Sequence, residues 1–502
     1  MTRPTTTGKA QDLITFTRST TGTALAKISY GEELVTNGTF DNNIDGWSVT
    51  GSAALGAWNA GKYIDLDRNG GTSCVLWKTV SGTGVSFYEV SFDVVHIDNG
   101  TKIATTFGGV LLDATAGAVG TYKFYGFAAG SPSTLFFSLT QTSAAVASLD
   151  NISVKEVLYD QPDGTLQLFN HPINKPRIEY DASGNCLGLL VEEARTNQAL
   201  HSEDWTVSPW ALRENSFRNS TNSIAPDGTA GATRFYTNSN VPAFLQQSCP
   251  GSVGSKTHTV SCWVRSTNGG ADQTFRLKGT HSGVTDFFSD NKTATSEWQR
   301  FIFTTTFISA SNTAVIAGIV EDSSANQFDI EVWGMQVEFD ASFPTSYIPT
   351  SGSAVTRAAD VATLAVSEFG YNQDQGTIVV DFIPADHPSS TYNQLIVSDG
   401  GSKRWVYFND TATYSVAGFD GTNQISITGV LAPIKAAIGL SSTQGSIAAN
   451  GDATANSTDV AHNGNILTST SFDIAANTTA HIKSIQYYPL RLSNAQLQAL
   501  TV

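Results

Sequence analysis

Cysteine is scarce in this chain, with four residues among 502, and none of them forms a C-x-x-C pair or a metal-binding spacing. One of them, Cys262, lies within an apolar segment that is typical of a buried strand. Free buried thiols are therefore expected in place of a disulfide framework. The four cysteines are Cys74, Cys186, Cys249 and Cys262.

Long apolar segments are also missing. No run of about 18 apolar residues occurs, and the first residues, Met1 to Pro4, do not begin an apolar signal segment. The expectation is a chain made in the cytoplasm that does not leave by the general secretory route and does not insert into a membrane.

Motifs of known catalytic sites are absent as well. The eight histidines are scattered, and neither H-E-x-x-H nor G-x-S-x-G occurs. Two E-x-D pairs, at Glu179–Asp181 and Glu338–Asp340, begin the E-x-D-x-x-E pattern of sandwich glycosidases. Gly184 and Phe343 replace the third carboxylate, so ordinary turn and rim carboxylates are expected. The sequence predicts a protein that is not an enzyme.

Positive charge is in short supply. The chain has 28 Lys and Arg residues against 44 Asp and Glu residues, which gives a formal charge of −16 and a pI near 4.8. This balance repels phosphate backbones and anionic membrane surfaces. Nucleic acid is excluded as an expected partner, whereas a neutral glycan is not.

Glycine, threonine, serine and asparagine are plentiful, and they favour strands and turns over helices. The length suggests about three domains. We predict an all-β fold of three tandem antiparallel β-sandwich (jelly-roll) domains, with a short N-terminal arm and a short C-terminal helix. The predicted boundaries are 1–30 for the arm, 31–157 for the first sandwich, 158–197 for a collar, 198–342 for the second sandwich, 343–362 for a connector and 363–502 for the third sandwich.

The stretch from Phe328 to Val361 contains the clearest domain boundary. Its apolar alternation changes phase at Gly334, which predicts a β-bulge inside a half-buried strand. Two prolines then end the sheet and predict a stiff connector. Aromatic and aliphatic residues in this connector are expected to pack against a neighbouring domain. They are Phe343, Tyr347 and Ile348.

The last residues predict a short helix. Ser493 and Gln496 fit an S-x-x-Q capping box, and Leu497 and Leu500 share one helical face. Such a short helix needs a sandwich to pack on.

Three phrases resemble the recurring core of bacteriophage tail-fibre and related virion surface proteins. They are FTRST at 16–20, PRIEYD with GLLVEEARTN at 176–197, and FPTSYIPTSGSAVTRAAD at 343–360. In that family the first two phrases usually lie close together. Here the 31–157 sandwich separates them, so the resemblance implies an inserted domain.

The inserted domain, with NGTFDNNIDGW at its start and LDNISVKEV at its end, is similar to jelly-roll carbohydrate-binding modules. The final domain resembles concanavalin A-like or laminin G-like sandwiches. The resemblance implies a non-enzymatic virion protein, either a tail fibre or a receptor-binding adhesin that binds host-surface glycan. A capsid decoration or head-fibre protein without host contact, and a glycan-cleaving tailspike, remain alternatives.

The same resemblance implies where the protein acts and what it contacts. It would lie on the virion surface, after synthesis in the host bacterial cytoplasm, and would contact other virion proteins through its arm and collar. A homo-oligomer is expected, with a trimer as one arrangement, although no heptad repeat predicts a coiled coil. No cofactor is required, and a structural calcium ion is the one metal considered.

Glycan binding requires an aromatic plane with nearby polar side chains. In the first sandwich this chemistry is offered by a group of residues close in sequence, and the alternative is that each aromatic belongs to the core. The predicted glycan-binding residues are Trp58, Asn59, Tyr63, Asp65 and Trp77.

Two further sets of residues are predicted. Carbohydrate-binding modules of the kind resembled often hold calcium between the first loop and the last strand, which implies Asp41 and Asp150 as ligands, with solvated loop acids as the alternative. Arg18, Arg195 and Arg357 occur in the three phrases, each beside a threonine. A shared structural role at the collar is expected for them, with ordinary surface charge as the alternative.

Overall fold

The computed structural model describes most of the chain. The described residues are 14–50, 58–59, 62–68, 74–140, 144–213, 216–237, 243–251, 253–267, 271–281, 287–307, 313–321, 328–385, 393–399, 404–409, 415–419, 424–452, 455–457, 471–475 and 478–502. In those residues, no helix combines the length and the apolar character needed to cross a bilayer.

Strands dominate the described chain and are numbered in order. The first twelve are β1 (Ile14–Thr17), β2 (Gly22–Glu33), β3 (Ser48–Thr50), β4 (Trp58–Asn59), β5 (Tyr63–Asp67), β6 (Val75–Val80), β7 (Val85–Ile97), β8 (Ile103–Phe107), β9 (Val110–Ala116), β10 (Gly120–Ala129), β11 (Ser133–Leu139) and β12 (Val146–Tyr159). The next sixteen are β13 (Thr165–His171), β14 (Arg177–Tyr180), β15 (Cys186–Val191), β16 (Arg195–Asn197), β17 (Ala211–Arg213), β18 (Ser216–Ile224), β19 (Ala230–Thr237), β20 (Ala243–Pro250), β21 (Thr257–Ser266), β22 (Gln273–His281), β23 (Lys292–Ala294), β24 (Gln299–Thr306), β25 (Ala314–Glu321), β26 (Asp329–Phe339), β27 (Val355–Arg357) and β28 (Val361–Ala365).

A 3-10 turn at Val366–Glu368 precedes the last strands. These are β29 (Gln375–Pro384), β30 (Asn393–Ser398), β31 (Arg404–Asn409), β32 (Ser415–Phe419), β33 (Gln424–Thr428), β34 (Ile434–Ser441), β35 (Gln444–Ala449), β36 (Ala455–Ser457), β37 (Ser471–Ile474) and β38 (Ala480–Tyr488). The helix α1 (Asn494–Leu500) follows. The prediction of an all-β fold with a short C-terminal helix is therefore confirmed.

The chain forms two compact units. The smaller unit comprises Lys27–Gln167 and Ser220–Thr233, and the larger unit comprises Met1–Ala26, Leu168–Asn219 and Arg234–Val502.

The smaller unit contains the first sandwich. One sheet has the strand order β10-β7-β12-β2-β13, with β5 paired to β12 and β4 paired to β5, and the other has the order β3-β6-β11-β8-β9. The strand β11 shows the alternation of a sandwich strand, because Leu135 and Phe137 are buried between the sheets and Phe136 is not. The core includes a T-shaped contact between Phe92 and Phe137, whose ring centroids are 4.9 Å apart.

The second sandwich is formed by the strands β17 to β26. Its sheets have the orders β17-β20-β25-β22-β23 and β18-β19-β26-β21-β24. The predicted bulge at Gly334 is confirmed: Ser261 pairs with Gln336 and Trp263 pairs with Trp333, so two residues of β26 oppose one of β21. Gly334 itself has a φ of +68°, which favours glycine.

The strand β26 is buried on both faces, contrary to the half-buried strand that its sequence predicts. The reason is that the connector folds back over its outer face. Tyr347 lies 4.7 Å from Trp333, centroid to centroid, and the amide of Gln336 hydrogen-bonds to the connector backbone. Of the three residues expected to pack against a domain, Tyr347 and Ile348 are buried and Phe343 is half-buried.

The third sandwich lies in the larger unit and recruits strands from distant parts of the chain. Its sheets have the orders β1-β28-β37-β30-β31-β32-β33 and β14-β15-β38-β29-β34-β35-β36. The strand β1 thus comes from the predicted arm, and β14 and β15 come from the predicted collar. The helix α1 packs Leu497 against Val379 and Ala437. Its capping box is confirmed by the Ser493 backbone N–H, which donates to Gln496 Oε1 at 2.9 Å.

All four cysteines are free thiols. Cys74, Cys249 and Cys262 are buried as expected, and burial raises the pKa of the Cys249 thiol to about 12. Cys186 is exposed, contrary to the expectation of four buried thiols, because it opens β15 with its side chain away from the core.

Candidate functional site

Two aromatic side chains share the outer face of the first sandwich's five-stranded sheet. Trp77 on β6 lies directly opposite Phe136 on β11. Their ring centroids are 6.3 Å apart, and the rings are tilted by 34°. Both side chains are half-buried, because their strand neighbours Leu76 and Phe137 point into the core.

Hydroxyl groups surround these two rings. The indole Nε1 of Trp77 donates to Thr50 Oγ1 at 3.2 Å, which fixes the orientation of the tryptophan ring. Pairing register and strand alternation place other hydroxyl-bearing residues on the same face. They are Ser48, Thr79, Thr106, Thr134 and Ser138.

The row of residues through the two rings crosses the whole sheet. Ser48, Trp77, Phe136, Thr106 and Leu111 stand side by side in register. Leu111 on the edge strand β9 is 59% exposed and extends the apolar surface. Since neighbouring strands lie about 4.8 Å apart, the row is roughly 19 Å long.

This face has the chemistry of a sugar-binding surface. Aromatic rings stack on the apolar face of a pyranose, and hydroxyl groups exchange hydrogen bonds with its hydroxyls. The aromatic and hydroxyl side chains of this face carry no charge. We call this surface, defined by Trp77, Phe136 and the surrounding hydroxyl residues, the aromatic face.

The structure divides the five predicted glycan-binding residues between the two sheets. Trp77 belongs to the aromatic face. Trp58 and Asn59 form β4, opposite Ile64 and Tyr63 of β5 in the other sheet, and their side chains lie outside the described residues. Tyr63 and Asp65 point away from the core on β5, and Asp65 accepts a hydrogen bond from Ser148 Oγ at 2.7 Å. The five residues therefore do not form one surface.

The predicted calcium ligands lie within electrostatic reach of each other. Burial raises the pKa of Asp150, and the charges of Asp93 and Asp41 raise it further. Asp41 already accepts a hydrogen bond from Thr39 and faces Lys62 Nζ at 3.5 Å. Within the described residues, no three His, Cys, Asp or Glu side chains are arranged to hold a metal ion. The calcium site remains a prediction based on two carboxylates.

The three predicted arginines have different surroundings. Arg18 and Arg357 are buried, and Arg18 donates to the backbone oxygens of Thr20 and Pro172 at 2.8 and 3.0 Å. Arg357 donates to the Glu193 carbonyl at 2.7 Å. Arg195 is partly exposed, forms an ion pair with Glu193 and donates to the Asp340 carbonyl.

A fourth arginine, Arg177, completes a buried charge network in the larger unit. It is fully buried between Glu192, 2.9 Å away, and Asp360. Arg357 also lies 3.4 Å from Glu192. Burial alone would raise the pKa of Glu192, but the charges of Arg357 and Arg177 lower it to about 2. We call Arg18, Arg177, Arg357, Glu192 and Asp360 the arginine network.

The E-x-D carboxylates form structural hydrogen bonds. Glu338 is buried, which raises its pKa, and it accepts hydrogen bonds from Thr345 Oγ1 and N at 2.6 and 3.0 Å. Asp181 accepts from the backbone of Ser183 and from Asn185 in a turn. Glu179 lies 2.6 Å from His481 Nε2. Asp181 has the turn role expected from the sequence, whereas Glu338 is buried inside the second sandwich and does not lie at a rim.

Sequence reasoning missed Phe136 and Arg177. The alternation of β11 predicts that the Phe136 side chain points to the opposite sheet face from Leu135 and Phe137. It does not predict which of the two faces lies on the outside of the sandwich. Arg177, Glu192 and Asp360 all lie inside the phrases that stand out in the sequence, so charged residues in those phrases were the available signal.

No known protein family matches the chain. No curated protein matches it either. Among solved structures, the CBM22-1 xylan-binding domain from Paenibacillus barcinonensis Xyn10C is 13% identical over 30% of this chain and 99% of that domain, with a TM-score of 0.25.

Two longer structures also align. The CBM22-1–CBM22-2 tandem domain of the same Paenibacillus barcinonensis protein is 11% identical over 62% of this chain and 98% of that chain, with a TM-score of 0.23. The M60 catalytic domain with the CBM51-1 and CBM51-2 domains from Clostridium perfringens ZmpB is 10% identical over 62% of this chain and 43% of that chain, with a TM-score of 0.17. At such low TM-scores, function has to be argued from the residues of this chain.

Proposed function

We propose that this protein is a non-enzymatic structural component of a bacteriophage virion, a tail fibre or receptor-binding adhesin, that attaches the particle to host-surface glycan. The aromatic face of the first sandwich is the proposed glycan-binding surface. The N-terminal strand and the collar strands fasten the chain to other virion proteins on the particle exterior.

The observation that carries this proposal is the pairing of Trp77 with Phe136 on an outer sheet face ringed by hydroxyl groups. An aromatic pair kept half-exposed on the outside of a sheet contributes little to the core, so a ligand that covers it would gain apolar contact. The hydroxyl groups supply directional hydrogen bonds to the same ligand.

The virion role is supported by the three phrases at 16–20, 176–197 and 343–360, which resemble virion surface proteins. Several charged residues of these phrases form the arginine network. The need to form that network is one physical reason why these residues stand in the three phrases. The absence of an enzymatic role is supported by the carboxylates of Glu338 and Asp181. Their oxygens accept hydrogen bonds from residues close in the chain, as structural carboxylates do.

A single shallow face of this size binds weakly, so attachment depends on many copies. Repeated display on a symmetric particle raises the effective concentration of each further site once the first is bound. Binding assays therefore require the native oligomer or a multivalent display on beads.

The test is a pull-down of the full chain, displayed on beads, with host cells before and after their surface glycans are stripped. Trp77→Ala and Phe136→Ala should each weaken binding about tenfold, which corresponds to 1.4 kcal/mol. Phe87→Ala is the matched control, because Phe87 stacks on Tyr125 at 6.1 Å on the opposite sheet and lies off the aromatic face.

Each outcome separates the alternatives. Loss of binding on stripping, with Phe87→Ala unaffected, supports the adhesin. Equal losses of cell binding in all three variants would show that the glycan site does not lie on the aromatic face. No binding to untreated cells would point to a capsid decoration protein, and release of reducing ends from host polysaccharide would point to a tailspike.

A further inference from the structure

A small cleft opens beside the arginine network in the larger unit. Its volume is about 140 Å³. Its walls come from Thr20 to Gly22, Tyr347 to Pro349 and Val355 to Arg357, together with Asn170. Thr21 and Thr356 lie at its exposed rim, whereas Arg357 is only 2% exposed. The cleft is thus open to solvent and has a buried cation in its lining.

The arginine network carries more positive than negative charge. Its ion pairs join three guanidinium groups to two carboxylates, those of Glu192 and Asp360. Burial and the charge of Arg177 together lower the pKa of Arg18 to about 10, and the part due to Arg177 reflects repulsion between the two cations. Among these five side chains, positive charges outnumber negative charges by one. The charge of Glu179 also acts on Arg177, but Glu179 lies outside the network and against His481.

The guanidinium of Arg357 has one N–H group that is not used in hydrogen bonds to described residues. Its Nη1 donates to the Ala358 carbonyl at 3.0 Å and its Nη2 to the Glu193 carbonyl at 2.7 Å. Its Nε is buried and has no hydrogen-bond partner among the described residues. A buried charge that lacks full compensation is costly, and a bound counter-ion would lower that cost.

Hydroxyl donors are available at the same cleft. Thr20 Oγ1 accepts a hydrogen bond from the Ala358 backbone at 3.0 Å, so its own hydrogen remains to be donated. Thr356 Oγ1 shares a hydrogen bond with Thr196 Oγ1 at 2.7 Å. Hydroxyl groups beside an arginine suit an anion, because both present hydrogen atoms to it.

We propose that this cleft binds a small inorganic anion, such as a halide or phosphate, through the charge of Arg357 and the hydroxyl groups of Thr20, Thr21 and Thr356. A cavity needs about 10–15 Å³ to hold one water molecule. The cleft, at about 140 Å³, is therefore large enough for an anion with part of its hydration shell. The bound anion joins the N-terminal segment to the connector and to β27. It therefore stabilises the larger unit without touching the aromatic face.

The test is thermal unfolding of the full chain in chloride, bromide or phosphate, with ionic strength held constant by a salt whose anion is too large for the cleft. The unfolding midpoint of the wild-type protein should rise and saturate with at least one of these anions. Arg357→Gln should abolish the saturable rise. Arg195→Gln should keep it, and is a matched control because Arg195 pairs with Arg357 across β16 and β27 but does not line the cleft.

A second variant guards against misfolding of Arg357→Gln. Thr21→Trp fills the cleft from its exposed rim, leaves the network intact, and should also abolish the rise. Crystals soaked in bromide should show anomalous density in the cleft of the wild-type protein and none in Thr21→Trp. A rise of equal size in wild type and Thr21→Trp, or no saturable rise in any anion, would overturn the proposal. Glycan binding should be unchanged in Thr21→Trp, so the two proposals fail separately.

Discussion

Arg18 donates a hydrogen bond from Nη1 to Asp360 Oδ1 at 3.0 Å, although 342 residues separate the two in the chain. The same carboxylate accepts from Arg177 and from the Glu192 backbone N–H at 2.9 Å. Asp360 therefore joins the first described strand, the collar and the segment that enters the third sandwich.

Asp360→Asn should destabilise the larger unit. The substitution removes the negative charge between two buried guanidinium groups, and breaking a buried ion pair in this way costs about 3–5 kcal/mol. The urea midpoint for loss of near-UV circular dichroism should fall accordingly. Asp181→Asn is the control, because that carboxylate lies in an exposed turn, and its midpoint should stay at the wild-type value. Similar midpoints for the two variants would contradict the role given to Asp360.

Acid should weaken the network through Glu192. The charges of Arg357 and Arg177 outweigh the effect of burial and hold the pKa of Glu192 at about 2, below its ordinary value of 4.5. Because the folded pKa is the lower one, the carboxylate stabilises the folded state fully above pH 4.5 and loses that contribution as the pH falls toward 2.

Glu192→Gln provides the measurement. The variant should be less stable than wild type at neutral pH. The difference should shrink between pH 4.5 and pH 2, because the Glu192 carboxylate of the unfolded wild-type chain gains its proton there while that of the folded protein is still ionised. Urea unfolding midpoints of the wild type and of Glu192→Gln, measured at several pH values between 4.5 and 2, test this prediction. A difference that stays constant with pH would show that Glu192 acts by shape and hydrogen bonding alone.

His258 should make the second sandwich sensitive to mild acid. Its ring is buried against Phe307 and Phe339, and its Nε2 lies 2.7 Å from the Val253 carbonyl oxygen. Burial lowers the pKa of His258 below its ordinary value of 6.5. Above pH 6.5 both folded and unfolded states hold a neutral ring, so the group contributes nothing there. As the pH falls below 6.5, only the unfolded state gains the proton, and stability declines by about 1.4 kcal/mol per pH unit until the folded pKa is reached.

The comparison is between His258→Gln and His96→Gln. The first should flatten the decline in unfolding midpoint below pH 6.5, whereas the second should leave the decline in place, because His96 is exposed beside Asp98. An unchanged pH profile in His258→Gln would assign the acid sensitivity to other groups.

Local features of the fold were predictable and long-range ones were not. A glycine at a change of alternation marks the bulge at Gly334, and a capping box marks the start of α1, because both patterns depend on neighbours within a few residues. The pairing of β1 with β28 depends on residues more than 300 positions apart in the chain, and no local pattern encodes it.

The candidate site shows the same limit. Trp77 was predicted from its residue type, but its partner Phe136 lies 59 positions along the chain and meets it only through the register of β6 and β11. Trp58 and Tyr63 were grouped with Trp77 because they are close in sequence. The sheets then place them in the other layer of the sandwich. Side-chain chemistry was readable from the sequence, whereas the face that carries it depends on strand order.

Gly334 offers the last test, because its backbone conformation and its packing both exclude a side chain. A Cβ atom at this position would lie 2.8 Å from Trp263 Cε3 and 3.5 Å from Tyr347 Cε2, and the φ of +68° disfavours any L-residue. Gly429 has a similar φ of +77° but no described atom within 4 Å of the same position. Gly429→Ala should therefore cost about 1–2 kcal/mol from backbone strain alone. Gly334→Ala should cost about 1–3 kcal/mol more, because the two rings are packed together and have little freedom to move away. Urea unfolding of both variants measures the difference. Equal losses would mean that the Trp263 ring moves away from the added methyl group and that the packing at the bulge is looser than its contacts indicate.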